Sequence, residues 1–131
     1  MGNETKIVDI VYENAVRLDM CDPGTVIEVE TLNTLYTVEI INDRHCKVHG
    51  GSWFPEPTVT SITGAVWTGH EVEYKRIVIG KRLEIVHPGA ETGSITVSKV
   101  KSLRITAPNK AWSYEMPEPD LLATERNPLA H

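Results

Sequence analysis

The chain has 131 residues, a length that suits one domain, and its 40% hydrophobic and 24% charged residues are ordinary for a globular protein. Its net charge of −5 is uneven: residues 1–23 hold two Lys/Arg against five Asp/Glu, residues 24–106 nine of each, and residues 107–131 two against four. A neutral middle with acidic ends lacks the basic footprint of a protein that grips phosphate backbones, and no apolar run approaches the roughly 18 residues that span a bilayer.

The N-terminus shows no basic stretch followed by an uninterrupted apolar run, so it does not read as a secretory signal. The expected compartment is the cytoplasm, with Cys21 and Cys46 as reduced thiols rather than a disulfide framework. Met1-Gly2 has Lys6 where a myristoylation start carries Ser or Thr, and Asn3-Glu4-Thr5 is a glycosylation sequon by letters only. Between Glu4 and Asp19, Ile7, Ile10, Val11 and Leu18 approximate a helical face, while Lys6 to Tyr12 reads equally as a strand. A short helix around 12–19 is expected, ended by the turn Asp22-Pro23-Gly24.

From Gly24 to Thr106, β-branched runs alternate with compact turns, the signature of an all-β sandwich or barrel. Ile27 and Val29 alternate with Glu28 and Glu30, and Tyr36, Val38 and Ile40 with Thr37 and Glu39, as half-buried strands require. Asn33-Thr34 and Asn42-Asp43-Arg44 are the turns between these runs. The next strand, His45 to His49, puts Cys46 and Val48 inward and His45, Lys47 and His49 outward. Gly50-Gly51 breaks it. Pro55 and Pro57 then forbid a central strand, and Ser52 to His70 is a longer section carrying Trp53, Phe54 and Trp67, in which Thr58 to Thr63 can form a strand. Strands Val72 to Ile79 and Arg82 to Val86 follow, then a turn from His87 to Gly93. In Ser94 to Thr106 the apolar positions Ile95, Val97, Val100, Leu103 and Ile105 change phase. A 3₁₀ turn near Ser98 to Val100 would restore it.

Gly93, Ile95, Val100 and Leu103 resemble the end of an SH3-like barrel, in which a glycine and a buried strand precede a 3₁₀ turn and a short last strand. Residues 24–105 also resemble uncharacterised small bacterial all-β proteins, through Thr31-Leu32-Asn33-Thr34-Leu35-Tyr36, Gly50-Gly51, Gly80 before Leu83-Glu84, and Ser98-Lys99-Val100. The resemblance implies no activity. The proline-peptide pocket of SH3 domains does not carry over, because its paired aromatics and acidic loop have no counterpart here.

The expected organisation is therefore an N-terminal segment (1–23), a β-barrel domain (24–106) and an acidic, proline-containing tail (107–131). The fold class is all-β: a small, partly open SH3-like barrel or roll of six to seven strands, with a short N-terminal helix and an extended C-terminal tail. Pro119 to Arg126 has the pattern of two helical turns.

Few residues invite chemistry. His45 and His49 are about 13 Å apart on an extended strand at about 3.3 Å per residue, and Cys46 points the other way, so no metal is expected there. Glu28/Glu30 and Glu71/Glu73 lie at solvated strand spacing, and no Gly-x-Ser-x-Gly elbow or phosphate-binding glycine loop is present. No enzyme activity and no cofactor are expected. The binding candidates are Trp53 and Phe54 in the aromatic section, Lys75 and Arg76 in the strand after it, and Trp112 and Tyr114 as anchors of the tail. Trp67 is assigned to the core. The expected role is a non-enzymatic module for protein contact or self-association, away from membranes. The alternative is an oligonucleotide-binding barrel that uses Lys75, Arg76, Lys81, Arg82, Lys99, Lys101 and Arg104 with Trp53, Trp67 or Tyr74 as stacking surfaces, and a third reading, ranked below both, is a small enzyme or metal protein.

Overall fold

The computed structural model describes residues 6–67 and 71–117. A four-residue helix, α1 (Ile7–Ile10), opens the described chain. Asp9 Oδ2 accepts the Lys6 N–H at 3.1 Å and closes its first turn. The strands are β1 (Val11–Tyr12), β2 (Ala15–Arg17), β3 (Val26–Thr31), β4 (Leu35–Ile40), β5 (Cys46–Gly50), β6 (Phe54–Thr60), β7 (Ile62–Val66), β8 (Val72–Tyr74), β9 (Arg76–Val78), β10 (Arg82–Val86), β11 (Ser94–Val97), β12 (Val100–Thr106) and β13 (Ser113–Met116), with a 3₁₀ turn at Leu18–Met20. No helix among the described residues is long and apolar enough to cross a membrane.

All pairing is antiparallel, in a six-stranded sheet ordered β13-β12-β3-β4-β5-β6, a four-stranded sheet ordered β11-β10-β7-β8 and a three-stranded sheet ordered β1-β2-β9. The chain passes twice between the two larger sheets without a long loop. β6 runs into β7 across Ser61, and β11 runs into β12 across Ser98 and Lys99. The Thr60 hydroxyl donates to the Val86 carbonyl at 2.6 Å, and the Val86 N–H donates to the Ser61 carbonyl at 2.9 Å, so the first corner is pinned to the end of β10. Taking each bent pair as one segment, β3, β4, β5, β6–β7, β10 and β11–β12 wall an open roll. The thirteen strands among the described residues exceed the six or seven expected because bends, short extra pairings and the N-terminal hairpin divide and extend that wall.

Alternation follows from one face of each strand turning inward. Ile27 and Val29, Val38 and Ile40, Cys46 and Val48, Leu83 and Ile85, and Leu103 and Ile105 meet in one core with Val16 and Ile77 from the small sheet. Each fully buried aliphatic side chain contributes about 1.5–3 kcal/mol. Cys46 is buried and Lys47 exposed, as the strand register requires. The phase change before Thr106 is absorbed without a 3₁₀ turn. Ser98 and Lys99 leave the sheet, Val100 exchanges backbone bonds with Gly80 (2.8 Å) and Lys81 (3.0 Å), and a bulge between Val100 and Ser102 restores the register against β3. Pro55 and Pro57 lie in β6 at the edge of its sheet, where a missing N–H is tolerated.

Three local expectations differ. The helix lies at Ile7–Ile10, and residues 11–17 form a hairpin because β2 finds a long-range partner in β9, through Ala15↔Val78, Val16↔Ile77 and Arg17↔Arg76. The expected strand from Val72 to Ile79 is split at Lys75, whose φ of 60° turns the chain from the four-stranded to the three-stranded sheet. Its N–H donates to Thr63 at 2.9 Å and its carbonyl accepts from Leu18 at 2.8 Å. Past Thr106 the chain is extended as expected, but its first part is not separate from the sheet: β13 pairs with β12, Met116 is buried, and Trp112 packs on the core. The helical pattern at Pro119 to Arg126 lies outside the described residues.

Gly64 and Gly80 both have positive φ (147° and 94°) but differ in surroundings. A Cβ at Gly64 would sit 2.1 Å from the Glu73 carbonyl oxygen on β8, whereas nothing lies within 4 Å of one at Gly80. Gly80→Ala is expected to cost about 1–2 kcal/mol from backbone strain, and Gly64→Ala about 3 kcal/mol or more because β7 and β8 must also separate. Denaturant titration of both variants checks this, and equal losses would show that the close approach is relieved cheaply.

Ile10, Val16, Leu18, Cys21 and Met116 all belong to the core cluster although they lie outside 24–106. A chain cut to 24–106 is expected to give a broad thermal transition, and one spanning 6–117 a cooperative one, measured by circular dichroism.

Candidate binding groove

The expected binding residues do not form one surface. Phe54 is 0% exposed and cannot be presented to a partner. Its position at the start of β6, opposite Gly50, turns the ring into the core, where the His87 ring covers it at a centroid distance of 5.0 Å. Trp53 stays 45% exposed, edge-on to the same imidazole. His87 Nδ1 accepts the Gly89 N–H at 2.9 Å, so Nε2 carries the proton and donates to the Trp53 carbonyl at 2.9 Å. Lys75 is half-buried, its Nζ donating to the Asp43 carbonyl at 2.8 Å. Arg76 is exposed on β9. Trp112 is partly buried, and Tyr114 is exposed on β13, at the sheet edge opposite β6.

The assignment of Trp67 to the core is overturned, since it is 51% exposed. It stands just past the end of β7, where the alternation of that strand no longer governs it, and forms the shared wall of two adjoining cavities. The larger, about 520 Å³, has Tyr12, Glu13 and Arg76 at its rim and Ala15 and Val78 among its lining. The smaller, about 390 Å³, is lined by Trp67, Glu71, Glu73 and Lys81. An ion pair between Lys81 Nζ and Glu73 Oε2 stands between them, and the same ammonium lies 5.7 Å from the Trp67 ring centroid. Tyr12 is 65% exposed. Two sheets thus supply one groove: Tyr12 from β1 and Arg76 from β9 of the three-stranded sheet, Glu73 from β8 of the four-stranded sheet, and Lys81 from the turn before β10.

The rim is held firmly. Asn14 Nδ2 donates to the Ile79 carbonyl at 3.2 Å, and the Ile79 N–H donates to the Asn14 carbonyl at 2.9 Å, tying the β1–β2 turn to the turn that carries Lys81. Glu13 has φ 55° at the first central position of that two-residue turn, where glycine is preferred. A carboxylate is therefore kept beside the groove at a conformational cost of about 1 kcal/mol. Sequence reasoning missed Tyr12 and Glu13 because a helix was expected there. The Tyr-Glu-Asn-Ala turn flanked by Val11 and Val16 was the available signal.

A third cavity, of about 480 Å³, lies along β12 and β13, and most of its charges satisfy one another. Arg104 pairs with Glu115 and, at 4.0 Å, with Glu28, and the Ser102 hydroxyl donates to Glu30 at 2.8 Å.

Both cysteines are free and buried. Burial, then the charges of Asp22 and Asp19, push the Cys21 thiol up to about 12, and burial alone pushes Cys46 up to about 12. Folded protein is expected to resist alkylation near neutral pH, where the reactive thiolate is scarce. Above 9.0 the unfolded thiols ionise while the folded ones hold their protons, so stability falls from there towards about 12. A Cys21→Ala, Cys46→Ala double variant should lose that part of the slope in denaturant titrations across this range. Rapid alkylation of the native protein would show that the thiols are accessible. No family model, curated protein or solved structure matches the chain.

Proposed function

We propose that the protein is a non-enzymatic module that binds another protein through the groove of Tyr12 and Trp67. The carrying observation is that a tryptophan, Trp67, stands 51% exposed on a concave surface, with a second exposed aromatic across it. Exposed Trp and Tyr beside a cavity are the side chains that most often anchor protein partners. The open roll with its bent strands is compatible with the SH3-like likeness of residues 93–103, and the buried free thiols with a reducing compartment.

An oligonucleotide site draws less support. Of the basic residues it would need, Lys75 is engaged by the Asp43 carbonyl, Lys81 by Glu73, and Arg104 by Glu28 and Glu115. Glu13, Glu71 and Glu73 around the groove would repel phosphates.

Immobilised full-length protein is expected to retain a protein from extracts of its source cells that the Tyr12→Ala, Trp67→Ala variant loses. The variant should melt within about 1 kcal/mol of the parent, because both side chains are largely exposed. Retention unchanged by the double substitution, or retention abolished by nuclease, would reject the proposal.

A further inference from the structure

The smaller cavity has a chemistry of its own. It sets one indole face and two carboxylates, Glu71 and Glu73, around a single ammonium, that of Lys81. Lys81 answers only Glu73, and no cation pairs with Glu71 among the described residues. The ammonium over the Trp67 ring shows what the site accepts: a cation with an aromatic face on one side and a carboxylate on the other. We propose that this cavity receives a lysine or arginine side chain of the protein partner, and that Lys81 is the internal occupant which the incoming cation joins or displaces.

This rests on the protein-binding proposal and names the group that is bound. The cavity's net charge of −1, counting Glu71 and Glu73 against Lys81, favours a second cation. The Lys81–Glu73 pair is partly solvated, with side chains 28% and 37% exposed, so it can exchange partners without stranding a buried charge. Trp67 adds an attraction that a carboxylate cluster alone would lack, and it selects against strongly hydrated metal ions, which bind oxygen rather than a ring face. Lys81 thereby makes binding selective. A partner that supplies a cation with neighbouring contacts binds tightly, whereas a free amine saturates the site only at high concentration.

The test uses the full chain and the indole N–H resonance of Trp67, assigned with a Trp67→Phe variant. Nα-acetyl-lysine amide, Nα-acetyl-arginine amide and the uncharged Nα-acetyl-norleucine amide are titrated in turn. The two cationic amides are expected to shift the resonance saturably, and norleucine amide is not. Glu71→Gln should weaken the lysine amide about tenfold, and Lys81→Met should strengthen it by a similar factor. Glu71 is exposed, so its variant keeps the fold, which circular dichroism verifies. An equal response to norleucine amide would reduce the site to an apolar patch. Unchanged affinity in Lys81→Met would remove the role of internal occupant, and a shift by oligodeoxythymidylate at lower concentration than the amides would give the site to nucleic acid. If no amide shifts the resonance while Trp67 still governs retention of a protein from extracts, the cation site is refuted and the protein-binding groove stands.

Discussion

The structure depends on two places where one strand serves two sheets. At Ser61 and at Ser98-Lys99 the chain leaves one sheet and enters the other almost at once. A β-strand has a buried face and a wet face, so a strand that changes sheets must bend while its inward residues stay inward. Thr60 shows how this is done. It is 8% exposed, and its hydroxyl finds the Val86 carbonyl across the corner, so the bend leaves that buried polar group satisfied. At the other corner, Val100 borrows backbone partners from the Gly80-Lys81 turn. Both corners tie into the ends of β10 or the turn before it, so β10 works as the brace of the roll.

The groove is a by-product of that geometry. The four-stranded and three-stranded sheets do not close over one another completely, and their junction lies where Lys75 diverts the chain and Asn14 fastens the N-terminal hairpin. Side chains at such a junction are set by turns and strand ends rather than by the interior of a strand. That explains why Trp67 escapes burial, and why Glu13 and Lys75 carry backbone angles that neither prefers. The core remains aliphatic and regular while irregularity collects at one rim.

How much of this was legible in the chain depends on whether neighbours in sequence decide a residue's fate. Ile27, Val29, Val38 and Val48 were readable because alternation alone places them. The Asn42 turn was readable because its side chain caps it locally, accepting the Arg44 and His45 N–H groups at 2.8 Å each. Val16 was not, since its strand, beside β1, is completed by β9, some sixty residues away. Ile10, Val16 and Leu18 are buried whether the segment is helix or hairpin, so hydrophobic spacing alone did not separate the two. Phe54 and Trp67 were misplaced for opposite reasons. One follows a glycine bend that turns it inward, and the other lies one residue past the strand that would have enclosed it. Of the groove, Arg76 and Lys81 were legible as basic residues near a turn, whereas their company of Tyr12, Glu71 and Glu73 arises only when the three-stranded and four-stranded sheets come together.

The placement of the indoles governs how the molecule can be observed. Among the described residues, Phe54 and Tyr36 are the buried aromatic rings of the core, while Trp53 and Trp67 are about half solvated and Trp112 is only partly covered. Tryptophan emission from the native protein therefore carries the colour of a wet environment before any denaturant is added. Its spectrum reports the loop beside His87, the groove and the approach to β13, and is nearly blind to the aliphatic interior. A dye or quencher that alters the emission identifies a visitor to the surface, whereas loss of the fold has to be followed through the peptide backbone.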